Sequence, residues 1–366
     1  METSSYDEQY LEALKREVYY DVASGYLKLG DITSIMAGAE EYLHLRAQFL
    51  TRLKAWRNWI TSILTHHIKY LFKRGTIMIN GKAINAERII KEFSRLDYVC
   101  DDSIAHSVYL SLLLQKPLLI EGDPGVGKTE IAKALAAMLD TELIRLQCYE
   151  GLDESKALYE WNYQKQLLFI QGQEHGFSDV FTEEFLMQRP LMKAILCEDR
   201  APVLLIDEID KADEEFEAFL LEILSDFQIS IPEFGTIRAR TVPHIIITNN
   251  DVRELTNALK RRCIYLYIDY PTIEKEQNIL IKKVPGIKAP VAQQIARLMN
   301  ILRSKADLLK KPSIAEGIDF GRAATLENIE VVDGEVIDRF VATLLKNKED
   351  VAMLRKRGGG KWLGNI

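Results

Sequence analysis

The sequence predicts an α/β fold: a mostly parallel sheet covered by helices, with a helical C-terminal lid and a helical N-terminal extension. Three observations predict it. Between about Leu96 and Pro271, short β-like runs alternate with amphipathic stretches, and such alternation makes parallel sheets buried on both faces. From Thr272 onward only helical patterns occur. Before Leu96 the texture is again helical and poor in Pro and Gly. The expected divisions are 1–94, 95–271 and 272–366.

In the first region, Leu45, Phe49, Leu53, Trp56, Ile60, Ile63 and Leu64 recur at helical spacing. Trp56 and Trp59 lie three apart and share a face. The same stretch is basic, with Arg46, Arg52, Lys54, Arg57, Lys69, Lys73 and Arg74. A small bundle, a partner-docking helix and a membrane-surface helix all fit this pattern. The pair His66–His67 has no second ligand pair at helical spacing, so a metal site is not predicted there.

In the middle region, "KPLLIEG", "TELIRLQ", "APVLLID" and "HIIIT" read as strands. "TEIAKALAAML" reads as a helix of good formers. Phe216, Phe219, Leu220, Ile223 and Leu224 mark a helix with one buried face. "ISIPEFGTIRARTV", with Pro232 and Gly235, predicts an inserted β-hairpin before the "HIIIT" strand. The last region reads as helices up to a flexible tail, "RKRGGGKWLGNI".

Bulk properties narrow the function classes. The chain has 366 residues, 47% apolar and 28% charged, as a soluble globular protein has. Its formal net charge of −7 argues against a protein that coats nucleic acid. Cys100, Cys148, Cys197 and Cys263 lie far apart, which predicts neither a zinc site nor a disulfide framework and fits a reduced cytoplasmic setting. The N-terminus lacks a basic-then-apolar leader. No apolar run approaches the ~20 residues that span a bilayer.

The chemistry concentrates in the middle region. "GDPGVGKT", Gly122 to Thr129, matches G-x-x-x-x-G-K-[ST] between a strand and a helix. Glycines let such a loop wrap so that backbone N–H groups point at phosphate oxygens, and the helix N-terminus adds its positive end. Gly122, Asp123, Pro124, Gly125, Val126, Gly127, Lys128, Thr129 and the following Glu130 are the expected nucleotide contacts. Lys128 suits the β- and γ-phosphates, and the Thr129 hydroxyl suits Mg²⁺. "VLLIDE" brings two carboxylates to a strand's C-terminal end, where α/β sheets bind ligands. Asp207 is expected to hold Mg²⁺ through water, and Glu208 to act as general base on an attacking water. Asp210 and Asp213 read as a turn and a helix N-cap. "TNN" places an amide near that water: Asn250 is the choice and Asn249 the alternative, against a plain asparagine turn. In "ALKRRC", Arg261 fits a charge-stabilising guanidinium supplied in cis or by a neighbour, while Lys260 and Arg262 read as solvated charges. Arg322 in "DFGRAA" either reaches the nucleotide from its own chain or is a surface arginine.

In that order, these motifs resemble a AAA+ ATPase, and the hairpin and lid resemble its MoxR branch. "LIRLQCYEGLDESKALYEWNYQKQL", "VLLIDEIDKADEEFEAFLLEILSDFQISIPEFGTIRA" and "ALKRRCIYLYIDYP" are similar to the ATPases that accompany molybdenum-containing carbon monoxide dehydrogenase and its hydroxylase relatives. The resemblance runs from about Leu96 to Ala324 and leaves residues 1–94 without a motif. It implies that Gly122, Gly127, Lys128 and Thr129 form Walker A, and Asp207 and Glu208 form Walker B. It makes Asn250 sensor 1, Arg261 a trans arginine finger and Arg322 sensor 2. It implies ATP and Mg²⁺ as ligands, a ring that is often hexameric, a partner with a von Willebrand A domain, and a metalloenzyme client. The insertion around Tyr149, Tyr159, Trp161 and Tyr163 is expected to face the pore or the client, with at least half of these aromatics used in packing.

Competing readings are a small-molecule kinase, a AAA+ protein remodelling a nucleic-acid-bound complex, a GTPase and a non-hydrolysing scaffold. The Asp–Glu pair suits water activation rather than a kinase. "TNND" is not the guanine-reading N-K-x-D, and every catalytic position is filled, which disfavours a scaffold. The basic N-terminal stretch keeps the nucleic-acid reading open.

Overall fold

The computed structural model describes residues 77–79, 82–172, 181–231, 235–304, 306–358 and 360. The chain divides into two units, Met1–Gly75 and Thr76–Ile366. The expectations for the basic helix, Trp56, Trp59 and the histidine pair lie outside the described residues, as do the last six residues of the tail.

The second unit is built on five parallel strands in the order β11-β3-β10-β7-β4. These are β3 Leu118–Gly122, β4 Leu143–Gln147, β7 Val203–Asp207, β10 His244–Asn249 and β11 Ile264–Ile268. In register, Ile120 lies opposite Thr248 and Leu266, and Ile206 lies opposite Ile247 and Leu146. β3 and β7 are buried at every position, which is why both read as unbroken apolar runs. Alternate residues feed two cores. Leu119, Leu204, Ile206, Ile245 and Ile247 pack under the helices Pro190–Leu196 and Glu214–Asp226. Leu118, Ile120, Leu205, Ile246 and Leu266 pack under Ala86–Arg95, Asp102–Leu114 and Lys128–Leu139. Each such buried aliphatic contributes roughly 1.5–3 kcal/mol relative to exposure.

The expected boundary after residue 94 is corrected here. A hairpin of β1 Ile77–Ile79 and β2 Lys82–Ile84 leads into the helix Ala86–Arg95, capped by Asn85. Ile84, Ile89 and Phe93 are buried in the same core as Ile120 and Ile131, so these residues belong to the α/β unit. The hairpin is also strand where a helical extension was expected.

Between β4 and β7 lies the insertion: a short helix Glu154–Ala157, β5 Tyr159–Trp161, the helix Tyr163–Gly172 and β6 Leu186–Gln188, antiparallel to β5. Trp161 is buried and meets Tyr159 edge-on, while Tyr149 and Tyr163 are exposed. Half of the four aromatics therefore pack. The expected second hairpin is present as β8 Gln228–Ile231 and β9 Gly235–Arg238.

Among the described residues the C-terminal region holds helices and no strand, led by Ile273–Lys283, Ala289–Ser304 and Ile314–Leu326 around Leu280, Ile295, Met299 and Phe320. Arg303 forks onto Glu276 at 2.7 and 2.8 Å, both buried, and lies over the Tyr270 ring at 4.5 Å. Lys275 reaches Asp101 at 2.6 Å and Lys282 reaches Ser94, fastening the helical region to the segment before β3. No helix among the described residues is long and apolar enough to cross a membrane.

Candidate functional site

The loop after β3 needs its glycines for space as well as conformation. Gly122 has φ 151°, and a Cβ there would come 2.1 Å from the Ile268 carbonyl oxygen on β11. Gly125 has φ 78°, and a Cβ there would meet the Ser313 side chain at 2.4 Å. Ser313 caps the helix Ile314–Leu326, so the loop and the helical region touch. Gly127, in left-handed conformation, is the N-cap of Lys128–Leu139 and supplies no capping side chain. The first N–H groups of that twelve-residue helix, with its positive end, are left for an anion. Asp123, Pro124 and Gly125 are exposed at the loop's crest and Val126 is buried beneath it.

Lys128 is buried, and its ammonium donates to the carbonyls of Gly122 at 2.6 Å and Asp123 at 2.9 Å. Burial lowers its pKa, and the carboxylates of Asp210, Asp123, Asp207 and Glu208 oppose that shift. Thr129 Oγ1 lies 3.2 Å from Asp207 Oδ1, the two meeting across the sheet's carboxyl edge. Asp207 is 3% exposed and accepts from Arg145 Nη2 at 2.5 Å and from the Thr248 hydroxyl at 2.5 Å. The same Thr248 hydroxyl accepts from the Glu208 backbone N–H at 2.9 Å. Glu208 has φ 58°, a left-handed turn that swings its carboxylate out of the strand line. Gln147 Nε2 donates to its Oε2 at 2.9 Å, and Lys211 pairs with the same oxygen.

At the end of β10 the two asparagines part. Asn249 is fully buried, donates to Glu121 Oε1 at 2.7 Å and accepts from the Asp251 N–H. Asn250 is half-buried, and its backbone N–H donates to Asp210 Oδ1 at 3.3 Å. The Asn249 side chain is thus taken up within the fold, while the Asn250 side-chain amide has no hydrogen bond among the described residues. Asp210 is itself buried, with Oδ2 lacking a partner, so it is more than a turn residue. Asp213 caps its helix through Phe216 N–H, as expected.

Arg261 sits in the last turn of Asn257–Arg262, exposed, with no hydrogen bond or ion pair among the described residues. That helix is anchored at its N-cap, where Glu217, fully buried, accepts from Thr256 N–H and Oγ1. Arg261 precedes Ile264, which pairs with Leu118 at the far end of β3 from Gly122. Four strand residues of ~3.3 Å each separate those ends, so Arg261 does not serve its own loop. Arg262 is tied to Ser225 and to the Ala258 carbonyl. Arg322 is not brought to the loop. It lies two turns beyond Ser313, exposed, with Asp319 at 3.5 Å. Glu130 pairs with Lys133 at 2.6 Å on its own helix.

Hydroxyl and carboxylate oxygens 3.2 Å apart at Thr129 and Asp207 are a donor set that suits a hard divalent cation such as Mg²⁺. Sequence reasoning missed Arg145, Gln147 and Thr248. Their signal was alternation: Arg145 and Gln147 are the polar, outward positions of a strand that ends level with Asp207.

Residues 117–263 match the family model described as AAA domain (dynein-related subfamily). Chaperone MoxR1 of Mycobacterium tuberculosis is 26% identical over 225 residues, 59% of this chain and 52% of that protein. An uncharacterized protein of Staphylococcus aureus is 28% identical over 181 residues, 46% of this chain and 63% of its own length. The chain thus spans only about half to two thirds of the curated relatives it matches. Among solved structures, the RuvB Holliday junction branch migration motor of Thermotoga maritima covers 75% of this chain and 76% of its own, with 17% identity and a TM-score of 0.41. With a glycine-rich loop, a paired Asp–Glu and the β10 asparagines all at one sheet edge, residues 117–263 carry the features of the AAA domain whose model they match, and the chain is similar to Chaperone MoxR1.

Proposed function

We propose that the chain hydrolyses ATP to ADP and phosphate and works as a ring-forming, chaperone-like remodelling motor. The observation that carries this reading is Thr129, Asp207 and Glu208 meeting beside the buried Lys128. The loop's N–H groups receive the triphosphate, and Lys128 exchanges its two carbonyl partners for phosphate oxygens. Thr129 and Asp207 would hold Mg²⁺, which would supply charge neutralisation to the triphosphate. Glu208 takes a proton from the water that attacks the γ-phosphorus, while the bond to the leaving ADP breaks. Asn250 orients that water. Arg261 reaches the γ-phosphate of a neighbouring copy, which its position at the opposite end of the sheet favours. Arg322 answers the nucleotide only after the helical region turns toward it.

The client is a metalloenzyme of the molybdenum hydroxylase class, with a von Willebrand A domain protein as co-worker. The motif resemblance supports this client and co-worker, and the similarity to Chaperone MoxR1 supports the chaperone-like part of the reading. The test is Glu208→Gln. Turnover is expected to fall at least ~10²-fold, the scale of a lost general base, while ATP binding is retained. Unchanged turnover sinks the assignment, and the trapped variant is the bait for the client.

A further inference from the structure

The helix Glu214–Asp226 buries a carboxylate in its apolar face. Phe216, Leu220, Ile223 and Leu224 pack into the core, and Glu217 among them is fully buried. A carboxylate so placed costs desolvation that an apolar residue of similar size would not, so stability alone does not account for it. Its partners do. Oε2 accepts from the Thr256 N–H at 2.9 Å and from the Thr256 hydroxyl at 2.7 Å, and Arg253 Nη2 lies 2.5 Å from Oε1. The same Nη2 donates to the Ala212 carbonyl at 2.7 Å, at the end of the turn Ile209–Lys211 that follows Glu208. Glu217 Oε1 and Arg253 Nε have no hydrogen bond among the described residues, so this half of the contact is held by charge.

The clamped residues, 253–256, join the end of β10 to the helix Asn257–Arg262. That helix has six residues and buries only Leu259, so few contacts of its own fix its direction. Arg261 stands five residues beyond the Thr256 cap. At 1.5 Å per residue that is roughly 7 Å along the helix axis, so a tilt of about ten degrees at the cap moves its guanidinium by about 1 Å or more. A misplacement of that size can cost ~10²-fold in rate. We propose that Glu217 and Arg253 are positioning residues for Arg261. The buried clamp sets the direction of the short helix, and so the reach of Arg261 toward the γ-phosphate held by the next copy. Arg261 acts across copies only in a ring, so the clamp's role rests on the ring-forming reading. Because Arg253 also holds Ala212, the arginine offered to a neighbour is fixed relative to the turn after Glu208 in its own chain.

Complementation between full-length chains separates this role from plain stabilisation. Glu217→Gln and Arg253→Gln are each expected to lower ATP turnover ~10- to 10²-fold with KM for ATP little changed, since the phosphate loop is untouched. Each variant is then co-expressed with a differently tagged Lys128→Ala chain, and assemblies holding both are isolated. The Lys128→Ala chain cannot use ATP itself but presents an intact Arg261. About one contact in four of a random ring sets a variant's loop beside that arginine, so turnover per chain should return to about a quarter of wild type. A variant that is merely unstable gains nothing from such a neighbour. Arg261→Ala with Lys128→Ala is the reference mixture. Recovery in the reference but not in the clamp mixtures refutes the clamp and keeps the ring-forming reading. If the reference does not recover, or no mixed assembly forms, the ring-forming reading falls and the clamp falls with it. Wild-type turnover in both clamp variants also refutes the clamp. If Glu217→Gln does not fold, Arg253→Gln decides the matter, because the Arg253 side chain is 26% exposed.

Discussion

Asn249 donates to Glu121 across β10 and β3 at 2.7 Å, one residue before the phosphate loop begins. Both are buried, and the second Glu121 oxygen takes the Tyr265 hydroxyl. The pair holds the turn carrying Asn250 against the strand feeding the loop. Glu121→Gln keeps the shape and replaces a charged acceptor with a mixed donor and acceptor. Hydrogen bonds to charged groups are worth about 1.5–3 kcal/mol, so a loss near 2 kcal/mol in urea unfolding is expected. A loss below a few tenths would show the pair to be incidental.

Thr248 offers a sharper test of the site. Thr248→Val keeps the side chain's volume, takes one of two partners from Asp207 Oδ1, which retains Thr129, and strands the Glu208 N–H. Stability should fall by about 1–3 kcal/mol and ATP turnover by tenfold or more, with KM for ATP little changed. Thr248→Ser should recover most of both.

The Arg303–Glu276 fork is a buried pair in the helical region. Removing one partner leaves a buried charge, so Glu276→Ala should cost about 3–5 kcal/mol. Replacing both residues with well-packed apolar ones should cost far less. Chemical unfolding of the three variants decides this, and equal losses would count against it.

His244 gives the chain a pH dependence. Burial lowers its imidazole pKa to about 4 from an ordinary 6.5. Above pH 6.5 it is neutral whether folded or unfolded and adds no slope. As pH falls from 6.5 toward 4, the unfolded chain takes up a proton that the folded chain refuses. Stability therefore declines over that window, by about 3 kcal/mol in all, and the decline ends where both states are protonated. Unfolding midpoints at pH 7.5, 6 and 5 should show it, and His244→Gln should flatten it.

Much of this was legible because burial on both faces writes itself as apolar runs. β3 and β7 declared themselves that way, and the Gly, Lys and Thr of the loop are dictated by local space. β11 was harder. "IYLYI" exposes Tyr265 and Tyr267, and an edge strand with one bare face reads only as an apolar stretch. The start of the unit was misplaced because helical spacing in Ala86–Arg95 does not say which core its buried face joins. Arg322 was assigned by order along the chain, and order does not fix how far down a helix a side chain sits. Gln147 and Thr248 went unseen because their roles depend on strands far apart in sequence becoming neighbours.

The Thr248 hydroxyl, joined at once to the Asp207 carboxylate and the Glu208 backbone, works as a shared axle between β10 and β7. If β10 slides or tilts relative to β7, the Asp207 and Glu208 carboxylates move together and keep their mutual alignment. A displacement arriving at β10 would then shift Asp207 and Glu208 as one unit relative to the loop after β3, as a clutch engages or releases a drive.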